Sequence, residues 1–394
     1  MPPRQAGCNR CAALFAFHTC CMAATPRCTW PNCISLRQGC LLLRALAFGY
    51  GGATPACSLV GHKKKADFMA ETLKVGVIGA GHFGRFHALK VRHVARETLV
   101  GLFDPDNKRA ALVAKEAGCP VMQDVDTLLA ACDAVVVAAP AEFHFELAVQ
   151  ALRAGKHVLV EKPIAATLEQ ADFLVTLAHE SGLVCQVGHL LRYSAEHDAI
   201  TQRITRPLYI EATRIAPYKP RGTDVSVILD LMIHDLDLVL AIVDSPIAQV
   251  DALGAAVSSA HEDIANARVR FENGCVATIT ASRISLKTER RMRLFSEEGY
   301  LSADFVKREL TMIGRDRGLP LPGTGGFRRE HITWKEHDSL MAEHEAFVAA
   351  CLDGAPVVVD ANAGRRALAA ALAVADGIAE SRRRMELSGL IQAE

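Results

Sequence analysis

The 394-residue chain has no uninterrupted apolar run long enough to span a bilayer, although half of its residues are hydrophobic. No membrane association is expected. It also lacks net charge, with 44 Lys and Arg balancing 44 Asp and Glu. The balance hides an asymmetry. Residues 1–68 carry eight Lys or Arg and a single acid, Asp67, whereas the rest of the chain carries 36 basic and 43 acidic residues. An acidic body excludes general nucleic-acid binding. Cysteine is sparse there too. Eight of the 13 cysteines fall in the first 57 residues, which leaves Cys119, Cys132, Cys185, Cys275 and Cys351 scattered in apolar contexts. They read as reduced thiols of a cytoplasmic protein. No internal repeat and no low-complexity linker is present.

The first 68 residues show no clear helix or strand period. The preferred reading is upstream sequence ahead of a true start at Met69, because Met69-Ala70-Glu71-Thr72 leads directly into an apolar strand. A transit peptide is the second reading, since such segments are Arg-rich and acid-poor. A metal site is third, but Cys8-x-x-Cys11 has no second pair at zinc-finger spacing. A secretory signal is last, because Arg44 interrupts the run from Leu41 and no clean cleavage pattern follows. A poorly ordered extension is expected in every case, and no metal ligand set is assigned to the chain.

What is present centres on residues 73–104. The apolar run from Leu73 ends in Gly79-x-Gly81-x-x-Gly84, a helical stretch follows, and a second run from Leu99 to Phe103 ends in Asp104. This order of strand, glycine turn, helix, strand and acid is that of a dinucleotide-binding β-α-β unit. Gly79 allows the tight turn, Gly81 lets a pyrophosphate approach the backbone, and Gly84 permits close helix packing. The helix N-terminus offers free N–H groups to the phosphates. Asp104 can accept both ribose hydroxyls and would repel a 2′-phosphate, which favours NAD over NADP. Lys108 and Arg109 stand nearby with the opposite charge.

Downstream, strands and helices alternate with short loops as far as Gly188, as in a doubly wound parallel sheet. The expected strands include Val121–Gln123, Ala134–Ala139, His157–Val160 and Leu183–Val187. After Gly188 the texture changes to mostly antiparallel strands, with Asn273-Gly274 as a hairpin turn and Val225–Val243 as a long helix. The fold class is therefore α/β: a Rossmann sheet followed by an α/β domain with a mostly antiparallel open sheet. The expected divisions are 69–188 for the NAD-binding domain, 189–340 for a substrate and oligomerisation domain, and 341–394 for helices that pack back on the body.

Three side chains suit chemistry. Lys162 follows a buried strand at its carboxyl end, where ligands bind open parallel sheets, and Pro163 fixes the backbone beside it. Asp230 and His234 lie four apart in an apolar helix, roughly 40° apart around its axis, so they share a face. Burying both is costly unless they are paired or in use, and Asp235 or Asp237 could equally be the partner of His234. Oxidising a secondary alcohol needs a base for the hydroxyl proton and a cation for the developing alkoxide. His234 can take the proton, Asp230 can orient its ring or anchor a second hydroxyl, and Lys162 can hold the oxygen.

These motifs together, Gly79-x-Gly81-x-x-Gly84, Glu161-Lys162-Pro163 and Asp230-x-x-x-His234, resemble the Gfo/Idh/MocA oxidoreductases over residues 73–385. The resemblance implies an NAD(P)-dependent sugar or cyclitol dehydrogenase whose C-terminal sheet faces another subunit in a homodimer or homotetramer. It also implies cofactor contacts through His82, Phe83, Ala139, Pro140, His144 and the Glu161-Lys162 backbone. Val187–Tyr193 and Leu231–Asp235 are most similar to the nucleotide-sugar branch, which includes UDP-N-acetylglucosamine 3-dehydrogenases that supply an aminotransferase for lipid A or related glycans. His189, Arg192, Tyr193 and Arg214 are the expected substrate contacts, and Arg192, Arg214, Lys219 and Arg221 could bind a diphosphate or be solvated charges at a domain junction. Dehydrogenation of a free inositol or hexose is the alternative. A dinucleotide-binding regulator without a reaction is a further one, against which all three chemical side chains argue. An exported NADP-holding enzyme is opposed by Asp104 and by the lack of a twin-arginine motif.

Overall fold

A computed structural model describes residues 71–219 and 225–392. The readings of residues 1–68, and of Arg221, lie outside the described residues.

The glycine motif and its flanking runs form β1 (Leu73–Ile78), α1 (His82–Val91) and β2 (Glu97–Phe103). Then come α2 (Asn107–Ala117), α3 (Val125–Ala131), β3 (Ala134–Val137), α4 (His144–Arg153), β4 (His157–Glu161), α5 (Leu168–Ser181) and β5 (Cys185–Gly188). Local chemistry sets the ends of these helices. Asp106 and Asp124 accept the free N–H groups of α2 and α3, and Thr167 does so for α5. Gly118 and Gly182 close α2 and α5 in the left-handed conformation. The five strands run parallel in the order β2-β1-β3-β4-β5. Val121 contributes only an isolated bridge to Leu102, so the expected strand at Val121–Gln123 does not form and the sheet has five strands rather than six.

Alternate strand residues face opposite layers. Val135, Val137, Val158 and Val160 pack with α3, α4 and α5, while Val75, Val77, Val136 and Leu159 pack with α1 and α2. Both faces are thus covered, as a parallel sheet requires.

The chain continues through a 3-10 turn (Leu190–Tyr193), α6 (Ala195–Thr201) and β6 (Pro207–Ile215) to a π-helical turn (Ile228–Met232) that runs into α7 (Ile233–Val243). The strands β7 (Ile247–Ala255), β8 (Ile264–Phe271), β9 (Val276–Ser282), β10 (Glu289–Ser296), β11 (Gly299–Asp304), β12 (Glu309–Gly314), β13 (Leu319–Pro320) and β14 (Arg328–Thr333) complete a nine-stranded sheet. Its order is β13-β14-β12-β11-β10-β6-β9-β8-β7, antiparallel except where β6 meets β9. The Asn273-Gly274 turn joins β8 to β9 as expected. One face carries the core with α7, and the other is open: β8 reads exposed and buried in strict alternation.

Two helices end the chain. α8 (Ser339–Asp353) puts Phe347 into the same layer as α1 and α2, and α9 (Ala361–Leu387) contributes to the cores of both sheets.

Candidate active site

The glycine turn behaves as its spacing predicts. Gly79 has φ +98°, and a Cβ there would lie 2.6 Å from the Ala138 carbonyl oxygen. A Cβ on Gly84 would run into the Gly79 carbonyl oxygen, so α1 can sit this close only with glycine there. Gly81 differs: a Cβ there would meet nothing within 4 Å. The space beside it is open, and no side chain caps the N-terminus of α1. A pyrophosphate fits that opening and those N–H groups.

A cavity of about 520 Å³ adjoins this turn, lined among others by Gly79, Gly81, His82, Phe83, Asp104, Ala139 and Pro140. Asp104 is buried, and its carboxylate accepts hydrogen bonds from the Ala80 N–H (2.6 Å), the Asp106 N–H (2.8 Å) and Arg109 (3.0 and 2.7 Å). Burial works against its charge, but these donors prevail and hold its carboxyl below the usual range. Arg109 also lines the cavity. His144 is not on the wall. It is buried, with ring nitrogens 2.7 Å from the Pro163 carbonyl oxygen and 2.8 Å from that of Ala139. It ties the end of β3 to the segment after β4.

Lys162, Asp230 and His234 come together beside the carboxyl edge of the parallel sheet. The Lys162–Pro163 peptide bond is cis. Lys162 Nζ donates to the carbonyl oxygens of Asp230 (2.9 Å) and Leu229 (3.3 Å) and lies 3.7 Å from Asp230 Oδ1. The π-turn makes this possible. The Ile233 N–H bonds to Ile228 O, five residues back, rather than to Leu229 O, so Leu229 O can accept from the lysine. A plain helix over Val225–Val243 was expected, and periodicity alone carries no sign of such an insertion. π-turns inside helices often mark functional positions.

Burial pushes the Lys162 ammonium below its ordinary pKa, with the Asp230 and Glu161 charges opposing. Burial and then the positive charge of Lys162 hold His234 far below the ordinary imidazole range. His234 is therefore a neutral imidazole at pH 7. Its ring makes no hydrogen bond to Asp230 among the described residues and stands edge-on to His189, 6.4 Å between ring centroids. His189 is buried, and both its ring nitrogens lack hydrogen-bond partners among the described residues.

The other acids of α7 are engaged elsewhere, which settles an open choice. Asp235 is paired with buried Arg214 at 2.7 and 2.9 Å. Asp237 lies 3.6 Å from Arg192 and 4.0 Å from His189. Neither is the partner of His234. The expected role of Arg192 and Arg214 as free cations does not match these pairings. Both are turned inward, because a buried carboxylate on the neighbouring helix needs a counter-charge. Tyr193 is likewise placed in the core and not on a cleft wall.

Sequence reading missed a buried polar chain behind Lys162. Glu161 Oε1 lies 2.9 Å from His87 Nε2, His87 Nδ1 lies 2.9 Å from His344 Nε2, and His344 Nδ1 lies 3.0 Å from Glu97 Oε1. It joins β4, α1, α8 and β2. No local pattern reveals it, because its members are up to 257 residues apart.

Similarity to known proteins agrees with this geometry. The family described as "Oxidoreductase family, NAD-binding Rossmann fold" matches residues 73–189, and the GFO/IDH/MocA C-terminal domain matches residues 202–302. A UDP-N-acetylglucosamine 3-dehydrogenase of Acidithiobacillus ferrooxidans is 43% identical over 303 residues, 77% of this chain and 96% of the relative. This chain belongs to the Gfo/Idh/MocA oxidoreductases. A crystal structure of the Acidithiobacillus enzyme aligns with a TM-score of 0.73 at 42% identity, covering 78% of this chain and 97% of that one. An inositol 2-dehydrogenase of Rhizobium meliloti is more distant, 27% identical over 79% of this chain and 98% of its own. A scyllo-inositol dehydrogenase of Lactobacillus casei, 22% identical with a TM-score of 0.66, covers 79% of this chain and 98% of its own and shares the fold. The chain is thus an oxidoreductase of an NAD-binding Rossmann family.

Proposed function

We propose that this Gfo/Idh/MocA member is an NAD-dependent nucleotide-sugar dehydrogenase that oxidises the 3-hydroxyl of UDP-N-acetylglucosamine. The observation that carries dehydrogenation is the meeting of Lys162, Asp230 and His234 beside the dinucleotide cleft. The substrate rests on the 43% identity to an enzyme of that name over nearly its whole length.

NAD, when bound, would supply the acceptor for the hydride of the carbinol carbon. The chain's own part is to hold the hydroxyl and move its proton. Lys162 directs its ammonium at the oxygen and stabilises the charge that develops there. His234, neutral and without a hydrogen-bond partner among the described residues, takes the proton. Asp230 keeps the lysine placed through its own carbonyl oxygen and carboxylate. The buried Asp104 carboxylate, with Arg109 paired to it, supports NAD over NADP.

The same reading divides the chain into an NAD-binding domain (69–188), a substrate and assembly domain (189–340) and terminal helices (341–394). It places the open face of the nine-stranded sheet against a second copy in a homodimer or homotetramer. Tyr209, Phe295 and Tyr300 form a ring cluster on that sheet, with centroids 5.7 and 5.0 Å apart. The five cysteines among the described residues are all free thiols, which supports a reducing, cytoplasmic setting. An aminotransferase acting next on the 3-keto sugar, in lipid A or related glycan synthesis, would draw the unfavourable oxidation forward.

The test is NADH production by the purified protein across a panel of nucleotide sugars, with inositols and free hexoses beside them. UDP-N-acetylglucosamine should give the highest kcat/KM, with NAD preferred to NADP. Turnover of a free cyclitol alone would overturn the substrate assignment.

A further inference from the structure

A second cavity, of about 130 Å³, opens where β6 and β10 lie side by side. Its wall includes Glu196, Arg214, Arg290, Arg308, Trp334 and His337. Strand pairing sets Arg214 opposite Arg290. The two differ in what they have left to offer. Arg214 is consumed by its double hydrogen bond to Asp235. The Arg290 side chain has no hydrogen bond or ion pair among the described residues. Among the described residues the Arg308 guanidinium pairs only with Glu336, 3.4 Å away and itself exposed. Trp334 Nε1 is buried without an acceptor among the described residues. His337 donates its Nε2–H to the Tyr193 carbonyl oxygen at 2.9 Å, which leaves its other nitrogen available. Glu196 is the one carboxylate in the wall, so positive charge is in excess there.

The cavity is tied to the reacting centre through α7: Arg214 belongs to its wall, and Asp235, the partner of Arg214, directly follows His234 in that helix. Arg290 is exposed at the cavity, so its guanidinium is open to an incoming anion. A guanidinium presents paired donors that match two phosphate oxygens, and a buried indole N–H costs stability until something accepts it. The cavity is small, which suits a compact anion and not a whole nucleotide.

We infer that this cavity is the subsite for the diphosphate arm of a nucleoside-diphosphate sugar, with Arg290 as the main contact and Arg308 and Trp334 Nε1 as additional donors. The inference rests on the nucleotide-sugar reading above and moves the diphosphate contact from Arg214 to its unpaired neighbour across the strand. Arg290 selects the substrate by its diphosphate arm and takes no part in the proton or hydride step. It is a specificity residue.

Titrating UDP into the full-length protein and into Arg290→Ala and Arg308→Ala tests it, with NAD titrated in parallel to report the fold. UDP should bind the unaltered protein, and Arg290→Ala should weaken UDP by about tenfold or more and raise the KM for UDP-N-acetylglucosamine similarly. kcat should stay within about twofold and NAD affinity should not change. Arg308→Ala should show a smaller loss of the same kind. Equal UDP affinity in Arg290→Ala and the unaltered protein would overturn the subsite while leaving the nucleotide-sugar function standing. Failure of UDP to bind the unaltered protein, with turnover of a free sugar, would overturn both.

Discussion

Burial and charge act on Lys162 in opposite directions. Desolvation lowers its pKa, while the Asp230 carboxylate and Glu161 pull it back up, and desolvation wins. A lysine placed in this way gives the pH profile of alcohol oxidation a limb below the ordinary lysine value of 10.5. Asp230→Asn removes a raising influence, so that limb should move to lower pH as well as lose height. A limb that stays in place or moves upward in kcat/KM against pH would detach Asp230 from Lys162. Lys162→Met should cost about 10²–10³ in kcat, the scale of losing one charge-stabilising donor, with NAD affinity little changed. Full turnover in that variant would leave a dinucleotide-binding protein with no reaction assigned to this lysine. The residue types at this site were legible in the sequence, because Lys162 ends a buried strand and Asp230 and His234 keep helical spacing. The partners of those residues were not. Asp230, Asp235 and Asp237 look equivalent on paper, and only the packing of α7 against β6 and the Leu190–Tyr193 turn assigns Asp235 to Arg214 and Asp237 to Arg192.

At the scale of the element, the strand–turn–helix unit of β1 and α1 separates two kinds of glycine. Gly84 is needed by the fold, since any Cβ there collides with backbone. Gly81 is needed only by the ligand, since its own surroundings are open. Gly81→Ala should therefore melt near the temperature of the unaltered protein while binding NAD about tenfold or more weakly. Gly84→Ala should lose thermal stability and NAD binding together. Differential scanning fluorimetry with and without NAD separates the two, and an unchanged NAD affinity in Gly81→Ala would remove the pyrophosphate from this turn. The π-turn before α7 is the other telling element. It frees Leu229 O for the lysine, and it was invisible because one irregular turn hardly disturbs an apolar pattern in which nearly every residue is buried.

For the whole molecule, one sheet is closed on both faces and the other is open on one. The open face displays β8 residues Asn266, Arg268 and Arg270 and, on the far side of β9, the β6, β10 and β11 aromatic cluster. Such a broad, ordered surface suits a symmetric partner of the same sequence. Light scattering on the eluted protein should give a mass of two or four chains, and Phe295→Glu together with Tyr300→Glu should shift it towards one chain. A single-chain mass for the unaltered protein would refute the assembly. The mostly antiparallel character of this sheet was legible in the sequence. The sequence by itself determined whatever depends on near neighbours: the glycine turn, the acid that follows it, the capped helices, the hairpin at Asn273-Gly274 and the shared face of Asp230 and His234. Only the tertiary structure decided which charges cancel and which stay available, because an ion pair such as Arg214 with Asp235, or a cation left over such as Arg290, depends on strands and helices meeting across long stretches of chain, and local spacing holds no record of those meetings.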